Sequence, residues 1–147
     1  MVEILVAISI VVVSILAAMA VAQKSMAVSR QALYSSQAVF LLEEGAEAVR
    51  ILRDNGWANI SGLETSTTYY PVFSEGAWSL SATSTQVGIF TRTVTVAAVN
   101  RNSTTGDIDA GGDDDPGTKL ITITVSWPEG GQNVSRTISF YIMDIFS

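Results

Sequence analysis

Five carboxylates fall within nine positions of the segment Gly106-Asp107-Ile108-Asp109-Ala110-Gly111-Gly112-Asp113-Asp114-Asp115-Pro116. Side chains of one sign at that density repel unless they are solvated, screened or bound to a hard cation such as Ca²⁺, which takes oxygen ligands. Set against the helix-loop-helix calcium template, Asp107 and Asp109 take early ligand positions, Gly112 the turn glycine and Asp115 a late ligand position. Gly111 and Thr118 stand where the template requires an oxygen ligand and a bidentate Glu. The match is partial and no flanking helices are expected. Asp107, Asp109, Asp113 and Asp115 are thus candidate calcium ligands, weighed against a plain acidic surface loop; no other cofactor is expected. The chain has no His and no Cys, which removes the commonest general base, the Ser-His pair, thiolate metal sites and disulfides together. An enzyme is not expected. Asn59, Asn102 and Asn133 each begin an Asn-x-Ser/Thr sequence, a weak signal for glycosylation in a chain rich in Ser and Thr.

One further carboxylate stands apart from all of these. Glu3 lies at the start of Met1 to Ala22, MVEILVAISIVVVSILAAMAVA, which is otherwise apolar except for Ser9 and Ser14 and contains no Gly or Pro. Such a run is long enough to cross a bilayer as a helix. An ionised carboxylate costs roughly 2.5 to 3.5 kcal/mol at mid-bilayer on an insertion scale, so Glu3 is expected to have a partner, a cation on another copy of the chain.

The order Met1-Val2-Glu3-Ile4-Leu5-Val6-Ala7-Ile8 resembles the start of the type IV pilins and the related type II secretion pseudopilins. Glu3 matches the glutamate that is the fifth residue of the family's mature chain. Two family residues, and the leader peptide with its Gly cleavage site, are missing before Met1, so either the sequence starts late or the chain departs from the family. The resemblance covers roughly the first 55 residues, and the remainder only in architecture. It implies a monomer held in the cytoplasmic membrane, then moved by pilus assembly machinery into an extracellular helical homopolymer. Ile4, Leu5, Ile8, Val12, Ile15 and Leu16 would pack the filament core, and Glu3 would neutralise the N-terminus of a neighbouring subunit and so set the register. Some members of the family bind calcium in a loop of the head, which bears on the acidic loop. Two other readings compete for the stretch. A secretory signal peptide would end in a small-residue site, which Ala18-Met19-Ala20 fits, but no Lys or Arg precedes the apolar run. A simple membrane anchor would leave Glu3 at the interface.

No Gly or Pro interrupts the chain from Ala22 to Gly45, and apolar residues recur at Val28, Ala32, Val39, Leu42, Ala46, Val49 and Leu52. This spacing predicts that the helix continues with one apolar stripe. It ends at Asn55-Gly56, after Arg50 and Arg53, where cations suit the negative end of the helix dipole. Glu47 to Arg50 and Arg50 to Asp54 are the expected pairs on its wet face. Gly45 costs about 1 kcal/mol against Ala in an exposed helix, which implies close packing or a mild bend.

From Trp57 to Gln86 the chain is rich in Ser, Thr, Gly and Asn, with apolar pieces at Tyr69, Tyr70, Val72, Phe73 and at Ala77, Trp78, Leu80. It reads as a long connection with one or two short strands, whose aromatics cover a sheet edge or adhere. Three alternating stretches then predict strands. Phe90, Val94, Val96 and Ala98 alternate with Thr91, Thr93, Thr95 and Ala97; Ile121, Ile123, Val125 and Trp127 with Thr122, Thr124 and Ser126; Ile138, Phe140 and Ile142 with Thr137, Ser139 and Tyr141. Period-two alternation of β-branched residues means an antiparallel sheet with one buried and one wet face, and the amphipathic half of the helix is its cover. Pro128-Glu129-Gly130-Gly131-Gln132 is the turn of a hairpin. Met143, Ile145 and Phe146 suggest a C-terminus that packs down.

The expected fold is α+β: a long N-terminal helix, apolar in its first half and amphipathic in its second, packed on a C-terminal antiparallel sheet. Its divisions are 1–23 for the hydrophobic helix, 24–56 for the amphipathic half, 57–87 for the connection and 88–147 for the sheet. A net charge of −6 argues against a nucleic-acid-binding face, which needs clustered Lys and Arg. The expected function is a structural subunit, the major pilin of a type IV pilus-like filament. The alternatives are a type II secretion pseudopilin or minor pilin and, in another class, a membrane-tethered binding or sensing module.

Overall fold

A computed structural model describes residues 1–65 and 67–145. It is α+β. Helix α1 runs Val2–Asp54, a short helix α2 Ala58–Ser61, and six strands follow: β1 Thr68–Ser74, β2 Ala77–Ser81, β3 Gln86–Val87, β4 Phe90–Arg101, β5 Asp113–Glu129 and β6 Gln132–Met143. The strands form one antiparallel sheet in the order β2-β1-β4-β5-β6, with β3 paired to β4. The chain divides into two compact units, Met1–Ser36 and Gln37–Ser147.

In the second unit α1 turns Ala38, Leu42, Gly45, Ala46, Val49 and Leu52 inward. They cover the inner sheet face, made of Phe90, Val94 and Val96 from β4, Ile121, Ile123, Val125 and Trp127 from β5, and Ile142 from β6. Val39, placed on the stripe by its spacing, is 44% exposed; one residue of rotation, about 100° on a helix, gives its place to Ala38. The helix stops as its sequence requires. Gly56 adopts φ 140°, and its N–H bonds the Arg53 carbonyl at 2.9 Å. The Asn59 amide also donates to the Leu52 carbonyl at 3.0 Å, satisfying a group that a helix end leaves orphaned. Arg50 pairs with Glu47 at 3.4 Å as its spacing predicts, but Asp54 pairs with Arg53 at 2.8 Å instead of Arg50.

The largest departure from the simple alternating pattern is Arg92, buried on the inner face of β4 with 4% exposure. It bonds the Glu44 carboxylate at 2.8 Å and the Leu41 carbonyl at 3.3 Å, and its guanidinium lies 5.4 Å from the Trp78 ring centroid. Gly45 makes the room: a Cβ there would stand 3.1 Å from Arg92 Cδ and 3.2 Å from Ile123 Cγ2. The glycine therefore serves close packing.

Further along β4 the register slips between Ala98, opposite Lys119, and Asn100, opposite Asp114. Such an irregularity switches which side chains face inward. Val99, at the slip, is buried, while Ala98 keeps the register of Val94 and Val96 but is exposed. The 57–87 connection is more ordered than its composition suggests, since β1 and β2 form a hairpin over five residue pairs. Its turn is Glu75-Gly76, with φ 54° and 82°. The outer face of the main sheet carries three rows of hydroxyls, Thr91-Ser126-Ser135, Thr93-Thr124-Thr137 and Thr95-Thr122-Ser139. Met143 and Ile145 are 49% and 54% exposed, so they do not pack down as expected, and Phe146 lies outside the described residues.

Candidate assembly surface

The first unit is helix alone, and its chemistry is that of its side chains. Residues 1–33 are exposed without exception. The most apolar window of α1 has a mean hydropathy of 3.0 and 0% of it buried. Ile4, Leu5, Ile8, Val12, Ile15 and Leu16 are between 48% and 66% exposed. The two polar exceptions are neutralised locally: Ser9 bonds the Leu5 carbonyl at 2.7 Å and Ser14 the Ile10 carbonyl at 2.8 Å. Bonded back to the preceding turn, these hydroxyls present no unsatisfied donor to an apolar surrounding. The helix is long and apolar enough to cross a membrane and could anchor the chain there. Glu3 sits in its first turn, exposed. There it faces the positive end of the helix dipole, and among the described residues no Lys or Arg pairs with it.

The acidic segment is divided between loop and strand. β4 runs on to Arg101 and β5 begins at Asp113, so Asp113 and Asp115 are strand residues and only Asp107 and Asp109 lie in the loop. Among the described residues no three carboxylates come together as a metal would need. What holds the segment is Arg101. Its Nε meets Asp115 Oδ2 at 2.9 Å, one guanidinium N–H bonds the Gly106 carbonyl at 2.6 Å, and another bonds Thr118 Oγ1 at 3.2 Å. The second Asp115 oxygen accepts from the Gly117 N–H at 3.0 Å. The Thr118 hydroxyl first, and then Arg101, hold the Asp115 carboxyl below its ordinary range. Ca²⁺ takes about six to eight oxygen ligands, and a carboxylate already committed to a guanidinium is a poor member of such a set. Asp109 turns inward on its own loop, accepting from the Gly111 N–H at 3.0 Å. Gly112 is needed because a Cβ there would collide with the backbone of Arg101 and Asn102. Sequence spacing showed the carboxylates and missed Arg101, whose position one strand away left no local signal.

The three Asn-x-Ser/Thr asparagines have separate surroundings. Asn59 caps α1 as above. Asn102 accepts from the N–H groups of Thr104 and Thr105 at 2.9 and 3.1 Å, nucleating the turn after β4. Asn133 lies opposite Pro128 near the β5–β6 turn. All three side chains are surface groups, with Asn102 the least exposed.

Comparison with models of protein families, with curated proteins and with solved structures finds no match to this chain. The architecture and the exposed helix therefore carry the functional argument.

Proposed function

We propose that this chain is a structural subunit of a type IV pilus-like helical filament, held in a membrane by the first part of α1 before assembly and bundled through it afterwards. The observation that carries the reading is a helix exposed at every position up to residue 33 that bears one carboxylate in its first turn. Apolar surface on that scale requires lipid or other helices. Both partners are apolar, so exchanging lipid for neighbouring helices keeps the surface buried throughout. Glu3 supplies what packing alone lacks, a single polar contact that fixes register, because an unpaired carboxylate in an apolar core is costly. Repeated head to tail without closing, such a contact generates an open helix.

The test is Glu3→Ala in cells that make the protein. The variant is expected to fractionate with the membrane as the wild type does, while electron microscopy of sheared surface material shows filaments for the wild type and none for the variant. Filaments of normal number and diameter from Glu3→Ala would overturn the role of Glu3. A wild-type protein that forms no filaments and stays in the membrane would favour a secretion pseudopilin or a tethered binding module.

A further inference from the structure

Among the described residues, strand β6 ends the sheet and pairs only with β5. Its register is unbroken from Glu129 opposite Gln132 to Thr118 opposite Met143. Two observations fix which backbone groups point outward. The hairpin turns through Gly130 and Gly131, with φ 59° and 81°, a two-residue turn of the kind that closes on a hydrogen-bonded pair. One step beyond the strand's other end, the Asp144 N–H bonds the Gly117 carbonyl at 2.9 Å. Both assign the even-numbered residues of β6 to β5. Backbone groups alternate along an antiparallel strand, so Asn133, Ser135, Thr137, Ser139, Tyr141 and Met143 turn their N–H and C=O groups to the open edge.

Natural sheets guard such edges with Pro, Lys, bulges, short strands or a covering element. Over Gln132–Met143 there is no Pro, Gly or Lys, and Arg136 is the only charged residue; no bulge interrupts the ladder. The opposite edge, β2, has only five residues.

We infer that the edge of β6 is a strand-pairing surface for β6 of a second copy, antiparallel about a two-fold axis through Ile138. That register uses every outward residue: Asn133 opposite Met143, Ser135 opposite Tyr141, and Thr137 opposite Ser139. On the inner face it sets Val134 against Ile142, Arg136 against Phe140, and Ile138 against its own mate. Val134, Ile138 and Phe140 are only half-buried in one copy, because the apolar layer stops at this strand, and a continued sheet would cover them. Arg136 meets an aromatic ring instead of its like-charged mate, and Phe140 already accepts one guanidinium, that of Arg50 at 5.4 Å. The strand is therefore self-complementary in hydrogen bonding, apolar surface and charge. The inference is independent of the filament reading.

The experiment is the mass of the full-length protein in detergent micelles, by light scattering on a sizing column, for wild type, Thr137→Pro, Ser139→Lys and Glu3→Ala. Proline at Thr137 deletes an N–H aimed at the edge and leaves the β5 ladder intact, and lysine at Ser139 places charge at the seam without touching the backbone. The expected result is a dimer for wild type and Glu3→Ala and a monomer for both edge variants, with far-UV circular dichroism unchanged. If Thr137→Pro misfolds, Ser139→Lys decides alone. A monomeric wild type, or a dimer that survives in a folded edge variant, overturns the inference. A dimer lost only in Glu3→Ala does so too, since it would then be made by the helices.

Discussion

The Arg101–Asp115 pair shows how one residue decides the character of its neighbourhood. Of the five carboxylates in this segment, that of Asp115 is held by a guanidinium from the neighbouring strand. Asp115 has 20% and Arg101 35% of its side chain exposed, so the pair is screened on one side and contributes about 1 kcal/mol. Because the folded carboxyl has a pKa lowered from its ordinary 3.8, its stabilisation is complete above that value and is lost as the pH falls through the lower, folded one. Asp115→Asn is expected to melt below the wild type at neutral pH, and the gap should close in acid. Melting curves for the two proteins from neutral pH down to about pH 2 check this, and a constant gap would show that the substitution acts through packing. None of this was legible in the spacing of the aspartates, because the partner is 14 residues away from Asp115 in sequence and becomes adjacent only when β4 and β5 pair.

Helices and strands were legible to the degree that burial is periodic. Helix α1 ends at the Asn55-Gly56 signal, the β5–β6 hairpin turns where two glycines require it, and the inner faces of β5 and β6 follow their alternation, all because one buried face imposes a period on sequence. The failures have physical reasons too. β5 extends back through Asp113-Asp114-Asp115-Pro116-Gly117, residue types that strands disfavour, because pairing with the end of β4 outweighs local preference. Arg92 broke the pattern because a charge on a core face is rare without a partner, and its partners Glu44 and Leu41 lie on the helix. The helix and sheet meet closely at Gly45, where an alanine would gain about 1 kcal/mol of helix propensity but crowd Arg92 and Ile123. Overpacking costs about 1 to 3 kcal/mol. Gly45→Ala is therefore expected to lower the melting temperature by a few degrees. A rise would mean that the Arg92 side chain gives way freely and that propensity decides.

At the scale of the whole molecule, the buried core and the longest run of exposed apolar residues belong to different stretches of chain. Among the described residues, every buried hydrophobic side chain lies at Ala38 or beyond, and so do the ion pairs of Arg50, Arg53, Arg92 and Arg101. Met1–Ser36, by contrast, supplies apolar surface without a buried residue. Deleting Met1–Ser36 should therefore remove the need for detergent while leaving the core as it is. What remains of α1, from Gln37 to Asp54, is too short to be more than marginally helical alone, but in this unit it is held by its contacts with the sheet, so it should stay folded. The expected outcome is a protein beginning at Gln37 that is soluble without detergent, melts cooperatively within a few degrees of the full chain, and no longer sediments with membranes. Solubility and circular dichroism melting of that fragment test the division. If it aggregates or melts without a transition, the first part of the helix contributes to folding as well as to assembly, and its exposed face would have to be assigned a contact within the monomer.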